Sequence, residues 1–207
     1  LDDEIIKWIE SNSRSKKTEV DPVIKIISIE GNPERDKVLI ENGFKMVGTT
    51  GFLRIRPDGP VDTPVLPDGF KFRIVETRED YDKLASGVRK AFGHGEWFTG
   101  DIIASIRSRS FFRPDLDLMV EAPNGDIAAF CTFRVDPGSN IAELEPLATD
   151  PEYRRLGLAK SILQEALRRL KKHKPALTHI GGAADNPGAN RLYESMGFTE
   201  KYCFEKW

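Results

Sequence analysis

The sequence predicts an α/β (α+β) fold, a sheet flanked by helices, and three observations carry that expectation. Short runs rich in β-branched and apolar residues alternate with longer stretches of helical periodicity. Asn124-Gly125 lies between two of the strand-like runs, and Asn-Gly accepts the positive φ of a tight hairpin turn. Asn186-Pro187 and Gly197 bracket a short helix, with the capping residue and proline at its start and glycine after its end.

The elements follow in order. Between Pro57 and Gly69 the prolines and glycines are too dense for a helix or an inner strand, so 57–70 reads as a linker. After it come a short strand over 71–75 and an amphipathic helix over 78–92, with Tyr81, Leu84, Val88 and Ala91 on one face. Gly93-His94-Gly95 leads to a second helix over 99–109. Strands over 116–121 and 127–135 form the hairpin, and a turn over 136–140 opens a third strand over 141–149. A helix over 157–172 carries Leu158, Ile162, Leu163, Ala166, Leu167 and Leu170 as one apolar stripe, and Pro175 stops it. Its basic last turn suits the negative end of the helix dipole. A strand over 177–183, the helix after Pro187 and a final strand ending in Trp207 complete the chain.

Composition narrows the function. The 207 residues carry 31 Lys+Arg against 33 Asp+Glu, a formal net charge of −2, which argues against a broad basic surface for nucleic acid or an anionic membrane. No apolar run approaches the roughly 18 residues of a membrane span. Cys131 and Cys203 supply neither a disulfide framework nor, with the three scattered histidines, a metal site, so no metal is expected. The N-terminus is acidic rather than signal-like. The expectation is a cytoplasmic protein of a reducing compartment.

An internal repeat appears when the chain is offset by 154 positions. Ile26, Asn32, Pro33, Gly43 and Phe44 then fall on Ile180, Asn186, Pro187, Gly197 and Phe198. Each segment reads strand, Asn-Pro cap, short helix, Gly-Phe, strand. The chain starts with Leu1, which falls on Arg155, so the expectation is a fragment of a longer tandem protein whose preceding domain segment is missing in cis.

The chemistry-bearing stretch runs from Glu143 to Ala159. A strand, a tight turn and a helix beginning with small residues leave successive N–H groups free at a positive dipole end, a site for phosphate or pyrophosphate. Gly157 and Ala159 allow close approach to the main chain, and Arg154 and Arg155 add positive charge. Glu143 and Glu145, two apart, share one face of the strand as solvated carboxylates or as a proton acceptor.

Arg154-Arg155-Leu156-Gly157-Leu158-Ala159 resembles the Arg/Gln-x-x-Gly-x-Gly/Ala signature of the GNAT superfamily of acyl-CoA-dependent N-acyltransferases. The segment from Asn186-Pro187 through Ala189 and Leu192-Tyr193 to Gly197-Phe198 resembles its second signature. The run from Glu145 to Pro151 is similar to tandem, mycothiol-synthase-like members. The resemblance implies a GNAT fold, a central mixed and mostly antiparallel sheet flanked by helices. It covers 71–207, with 1–56 as the C-terminal portion of a first, incomplete GNAT-like domain.

The same resemblance implies transfer of an acetyl group from acetyl-CoA to a primary amine, on a small molecule or a peptide, by direct attack. Leu147 and Thr149 would pair with pantetheine and Ala148 would serve the carbonyl. Arg154, Arg155, Leu156, Gly157, Leu158, Ala159 and Lys160 would hold the pyrophosphate, and Asn186 would bond the cofactor arm as well as cap its helix. Tyr193 would protonate the thiolate unless it is a packing residue only, and Glu145 would handle the amine proton, with Glu143 the other candidate. Leu39, at the position matching Tyr193, cannot protonate a thiolate. His94, Glu96, Trp97 and Phe98 form an acceptor-side loop or a packed surface loop. A non-catalytic acyl-CoA-binding module is the alternative.

Overall fold

The computed structural model describes residues 2–13, 23–182 and 186–207. In chain order the elements are α1 (Asp2–Ser13), β1 (Ile27–Ile29), α2 (Pro33–Glu41), β2 (Gly48–Arg56), β3 (Lys71–Ile74), α3 (Arg78–Phe92) and α4 (Gly100–Arg107). There follow β4 (Asp117–Glu121), β5 (Ile127–Val135), β6 (Ile141–Thr149), α5 (Leu158–Leu170), β7 (Leu177–Gly182), α6 (Pro187–Ser195) and β8 (Glu200–Lys206). Leu1, the expected boundary, and Ala183, the expected end of β7, lie outside the described residues.

The chain forms two compact units, and they divide it differently from the linker-based expectation. The larger holds Arg54–Gly181 and Gly188–Glu200; the smaller holds Leu1–Leu53, Gly182–Pro187 and Lys201–Trp207. The reason is strand pairing and two arginines. β8 pairs antiparallel with β1, Ile27 opposite Lys206 and Ile29 opposite Phe204, which draws the C-terminal strand into the smaller unit. Arg54, at the end of β2, is buried and reaches α6: its Nη2 donates to Asn190 Oδ1 at 2.8 Å and its Nη1 lies 3.3 Å from Glu194. Arg56 Nε donates to the carbonyl of Met196 at 2.9 Å.

Within the larger unit the strand order is β7-β6-β5-β4-β3, antiparallel except for the parallel pair β6–β7. Alternation sends Met119 and Phe130 to one face, where they pack with Leu84, Ala85 and Val88 of α3 and Ile103 of α4. α3 begins with a capping box between Thr77 and Asp80 and comes close to β5 at Gly87, where a Cβ would stand 3.2 Å from the Phe130 ring. α5 also packs on β5. All six residues of its predicted stripe are buried. The helix stops at Leu170, earlier than expected, and Lys171–His173 tighten into a 3₁₀ turn. The segment 57–70 has no regular element, and Val65 accepts a hydrogen bond from Ser161 Oγ of α5.

In the smaller unit α2 covers Pro33–Glu41, and in the other repeat segment α6 covers Pro187–Ser195, bounds offset by the same 154 positions. Asn32 accepts from Arg35 N at 3.1 Å as a cap, and Gly43 and Gly197 both take positive φ, +82° and +85°.

Leu163 is fully buried in α5, so Leu163→Ala should lower unfolding stability by about 2–5 kcal/mol. A urea midpoint that shifts without a change in slope is the measurement that checks it.

Candidate active site

The site is built around an irregularity in β6. Phe133 pairs with Leu144 and Cys131 with Leu147, so Thr132 alone faces two residues, Glu145 and Pro146. This is a β-bulge, and the Glu145–Pro146 peptide within it is cis. The parallel register of β6 with β7 ends at Glu143 opposite His179, leaving 144–149 without a β7 partner among the described residues.

Backbone direction follows from one hydrogen bond. Asp150 N donates to Ala128 O at 2.9 Å, and antiparallel alternation therefore turns the Ala148 amide toward β5 as well. The amides of Leu147 and Thr149 face the opposite, open edge. Ala148 thus has its main chain in the β5 ladder and its side chain against the core, in contrast to the carbonyl-facing role expected of it. The Thr149 hydroxyl is buried without a hydrogen-bond partner among the described residues. Such an orphaned donor fits a ligand laid along this edge.

Beyond β6 the chain is pinned before it turns into α5. Asp150 accepts from Glu152 N at 3.0 Å and pairs with Lys90 at 3.2 Å, while Tyr153 Oη donates to Asp126 at 3.0 Å. Arg155 (φ +69°) and Gly157 (φ +77°) then take left-handed conformations that bring the chain into the helix. The first amides of α5 have no intrahelical acceptor, and they lie at its positive end. Arg154, Arg155, Leu156, Gly157 and Lys160 are exposed and Ala159 is half-buried, whereas the Leu158 side chain is buried in the core and offers only its main chain. Asn186 stands immediately before α6, within the smaller unit.

On the α3/α4 face of the sheet is a cavity of about 400 Å³. Its apolar wall includes Leu84, Val88, Phe92, Phe98, Ile103 and Phe112. Its polar lining is His94, Arg107, Asp117, Thr132, Arg134 and Glu145. Of the expected acceptor loop, His94 and Phe98 line the cavity, their rings stacked at 5.2 Å, while Trp97 and Glu96 point outward. Glu143 lies outside it, opposite Arg134 in the β5–β6 register.

Glu145 keeps an exposed outer surface, yet burial within the cavity raises its carboxyl above the ordinary range. Glu143 adds to the shift, and Arg134 and His94 oppose it. Tyr193 is buried on α6 with its ring edge-on to Phe198 at 6.1 Å. Burial, then the Cys131 and Glu145 charges, pushes its phenol up to about 12. The Cys131 thiol is fully buried and strongly raised for the same reason, which suits packing rather than nucleophilic chemistry. Among the described residues no cluster of three or more His, Cys, Asp or Glu is placed to hold a metal ion, and no helix is long and apolar enough to cross a membrane.

Sequence reasoning missed the cavity floor. Asp117 accepts from Thr132 Oγ1 at 2.7 Å and pairs with Arg107, which also donates to Val75 O at 2.6 Å. Burial raises the Asp117 carboxyl, against the Thr132 hydrogen bond and the Arg107 charge. The available signal was a charged residue at an inward position of an apolar strand, as in Asp117-Leu118-Met119-Val120 and Phe133-Arg134-Val135.

A bulged strand, an open sheet edge and an amide-rich helix start thus come together in one α/β unit. Residues 79–198 match the model of the Acetyltransferase (GNAT) family, and the chain belongs to that family. It is 27% identical over 194 residues to a mycothiol acetyltransferase of Nocardiopsis dassonvillei, covering 81% of this chain and 59% of that protein. Over 77 residues it is 38% identical to the ribosomal protein bS18-alanine N-acetyltransferase of Escherichia coli strain K12, covering 37% of this chain and 51% of that one. The chain thus spans about half the length of these curated relatives. The crystal structure of a GCN5-related N-acetyltransferase from Sphaerobacter thermophilus shares the fold, with a TM-score of 0.73 at 19% identity over 98% of this chain and 64% of that one.

Asp117→Ala would leave the buried Arg107 guanidinium without its carboxylate, and removing one partner of a buried pair costs about 3–5 kcal/mol. Thermal unfolding should show that loss, with Thr132→Val falling well short of it.

Proposed function

We propose that this chain transfers the acetyl group of acetyl-CoA to a primary amine by direct attack. The observation that carries the reading is the β6 bulge, which leaves Glu145 lining the cavity while the amides of Leu147 and Thr149 face outward. Acetyl-CoA supplies an activated thioester. The Leu147 and Thr149 main chain, with the Thr149 hydroxyl, fits its pantetheine arm. The amides of 156–160, with Arg154, Arg155 and Lys160, fit its pyrophosphate, and Asn186 is a further candidate for the arm. Glu145 takes the proton of the ammonium, and its raised pKa brings it closer to the amine it must deprotonate. Tyr193, with a phenol near 12, keeps its proton across the physiological range and holds it for the departing thiolate.

The acceptor amine belongs to a small molecule or a peptide end, in keeping with a cavity near the lower end of the roughly 300–1,000 Å³ range of small-molecule sites. The proposal includes 1–56 as a second GNAT-like portion, supported by the equal offset of α2 and α6. It also includes a cytoplasmic location, where acyl-CoA thioesters are available.

Tyr193→Phe should lower kcat by about 10²–10⁴-fold with little change in the KM for acetyl-CoA. Full turnover in that variant would remove the tyrosine from the mechanism, and binding of acetyl-CoA without turnover of any amine by the unaltered protein would favour a non-catalytic acyl-CoA-binding module.

The pH profile gives a second check. Glu145 accepts a proton only when ionised, so activity falls as pH drops through its raised pKa, above the ordinary value of about 4.3. Glu145→Gln should abolish that acidic limb of kcat/KM and leave the limb contributed by the amine itself.

A further inference from the structure

The cavity floor carries one cation that the proposed chemistry does not use. Arg107 is satisfied by Asp117, by the Val75 carbonyl and by the rings of Tyr81 and Phe112 at 4.9 and 4.5 Å. Arg134 is different. It lines the same cavity from β5, on the same face as Thr132, and its Nε is buried with no hydrogen-bond partner among the described residues. Its guanidinium lies 5.6 Å from the Phe111 ring centroid. Glu145 and Asp117 feel its charge, yet neither forms an ion pair with it. A buried donor of this kind calls for an acceptor that arrives with a ligand.

We propose that Arg134 is the anion subsite of the acceptor pocket, and that the acceptor is a free α-amino acid with an aliphatic or aromatic side chain. The inference rests on the acetyl-transfer reading of the same cavity. Charge count selects this class. Among the residues that line the cavity, with Arg107 and Asp117 paired, Arg134 and Glu145 remain as one positive and one negative group, matching the carboxylate and ammonium of a zwitterion, while Glu143 stands opposite Arg134 in the β5–β6 register but outside the lining. A phosphate dianion would leave excess negative charge beside Glu145 and Asp117, and a polyamine would set its second cation against Arg134. The guanidinium fork suits a planar carboxylate. The aliphatic and aromatic wall formed by Leu84, Val88, Ile103 and Phe112 takes the side chain.

The test measures CoA release by the whole chain with L-phenylalanine, L-leucine, L-phenylalaninamide or phenethylamine as acceptor. The two acids should exceed the amide and the decarboxylated amine in kcat/KM by about 10–100-fold. Arg134→Gln should collapse the acid-to-amide ratio toward one, chiefly through the KM for the acid, and Arg134→Lys should restore part of it. A thermal shift with acetyl-CoA reports that each variant is folded. A preference of the unaltered protein for the amide or the amine overturns the proposal, as does an acid preference that survives in a folded Arg134→Gln protein. Should no amine be turned over, titration of L-phenylalanine and L-phenylalaninamide in the presence of CoA, followed by tryptophan fluorescence, decides separately. Acid-selective binding lost in Arg134→Gln sustains the subsite while the acetyl-transfer reading fails, and binding without acid selectivity overturns the subsite.

Discussion

One extra residue in β6 governs the geometry on which the rest of the site depends. Upstream of it, Asp136 N donates to Ile141 O, and the β5–β6 register places the amide of Glu143 toward β5. Were β6 regular, the amides of residues 145, 147 and 149 would also point into the β5 ladder, and Leu147 would face the α3/α4 cavity. The bulge opposite Thr132 reverses that phase. Glu145 stays on the cavity face, while the amides of Leu147 and Thr149 turn to the edge that β7 has left. A carboxylate on one side and donors on the other are thereby coupled through a single backbone offset, with no loop intervening.

The cavity floor shows how a polar site is kept inside an apolar shell. Asp117 is buried and most of the Arg107 side chain is withdrawn from water with it, and such a pair persists only when its remaining donors and acceptors are met. Thr132 meets one lone pair of Asp117, and Val75 O meets an Arg107 N–H. The same bonds fasten α4 to β4, to β5 and to the residue that follows β3, so the wall that bounds the cavity is held by the charges beneath it. Stability and pocket shape are therefore not separable at Asp117.

Much of this was legible in the sequence wherever structure is local. The α5 stripe, the Asn124-Gly125 hairpin and the start of α6 after Asn186 depend on neighbours within a few residues, and the chain states them directly. The register between β5 and β6 is a property of two strands at once, and nothing in Glu145-Pro146 alone says that Thr132 will face both. Asp117, Thr132 and Arg134 become one floor only after β4 and β5 pair. Arg54 is legible least of all. A lone arginine at the end of a strand gives no sign that it reaches Asn190 and Glu194, more than 130 residues away. That contact moves the end of β2 into the larger unit, so a boundary drawn from proline and glycine density at 57 falls a few residues late.

Packing and proton transfer are alternatives for Tyr193 only in the abstract. Its ring sits against Phe198 as a core residue would, and that same burial raises the phenol until it holds its proton throughout the physiological range. The matching position in the N-terminal segment separates the two contributions. Leu39 is as deeply buried on α2, follows the same Asn-Pro start and precedes the same Gly-Phe turn, so the packing requirement is met there by a side chain with no proton to give. At this position only the segment with Tyr193 carries a side chain with a titratable hydroxyl. Leucine meets the packing requirement on α2, so the buried phenol on α6, which feels the charges of Cys131 and Glu145, is more than packing alone requires.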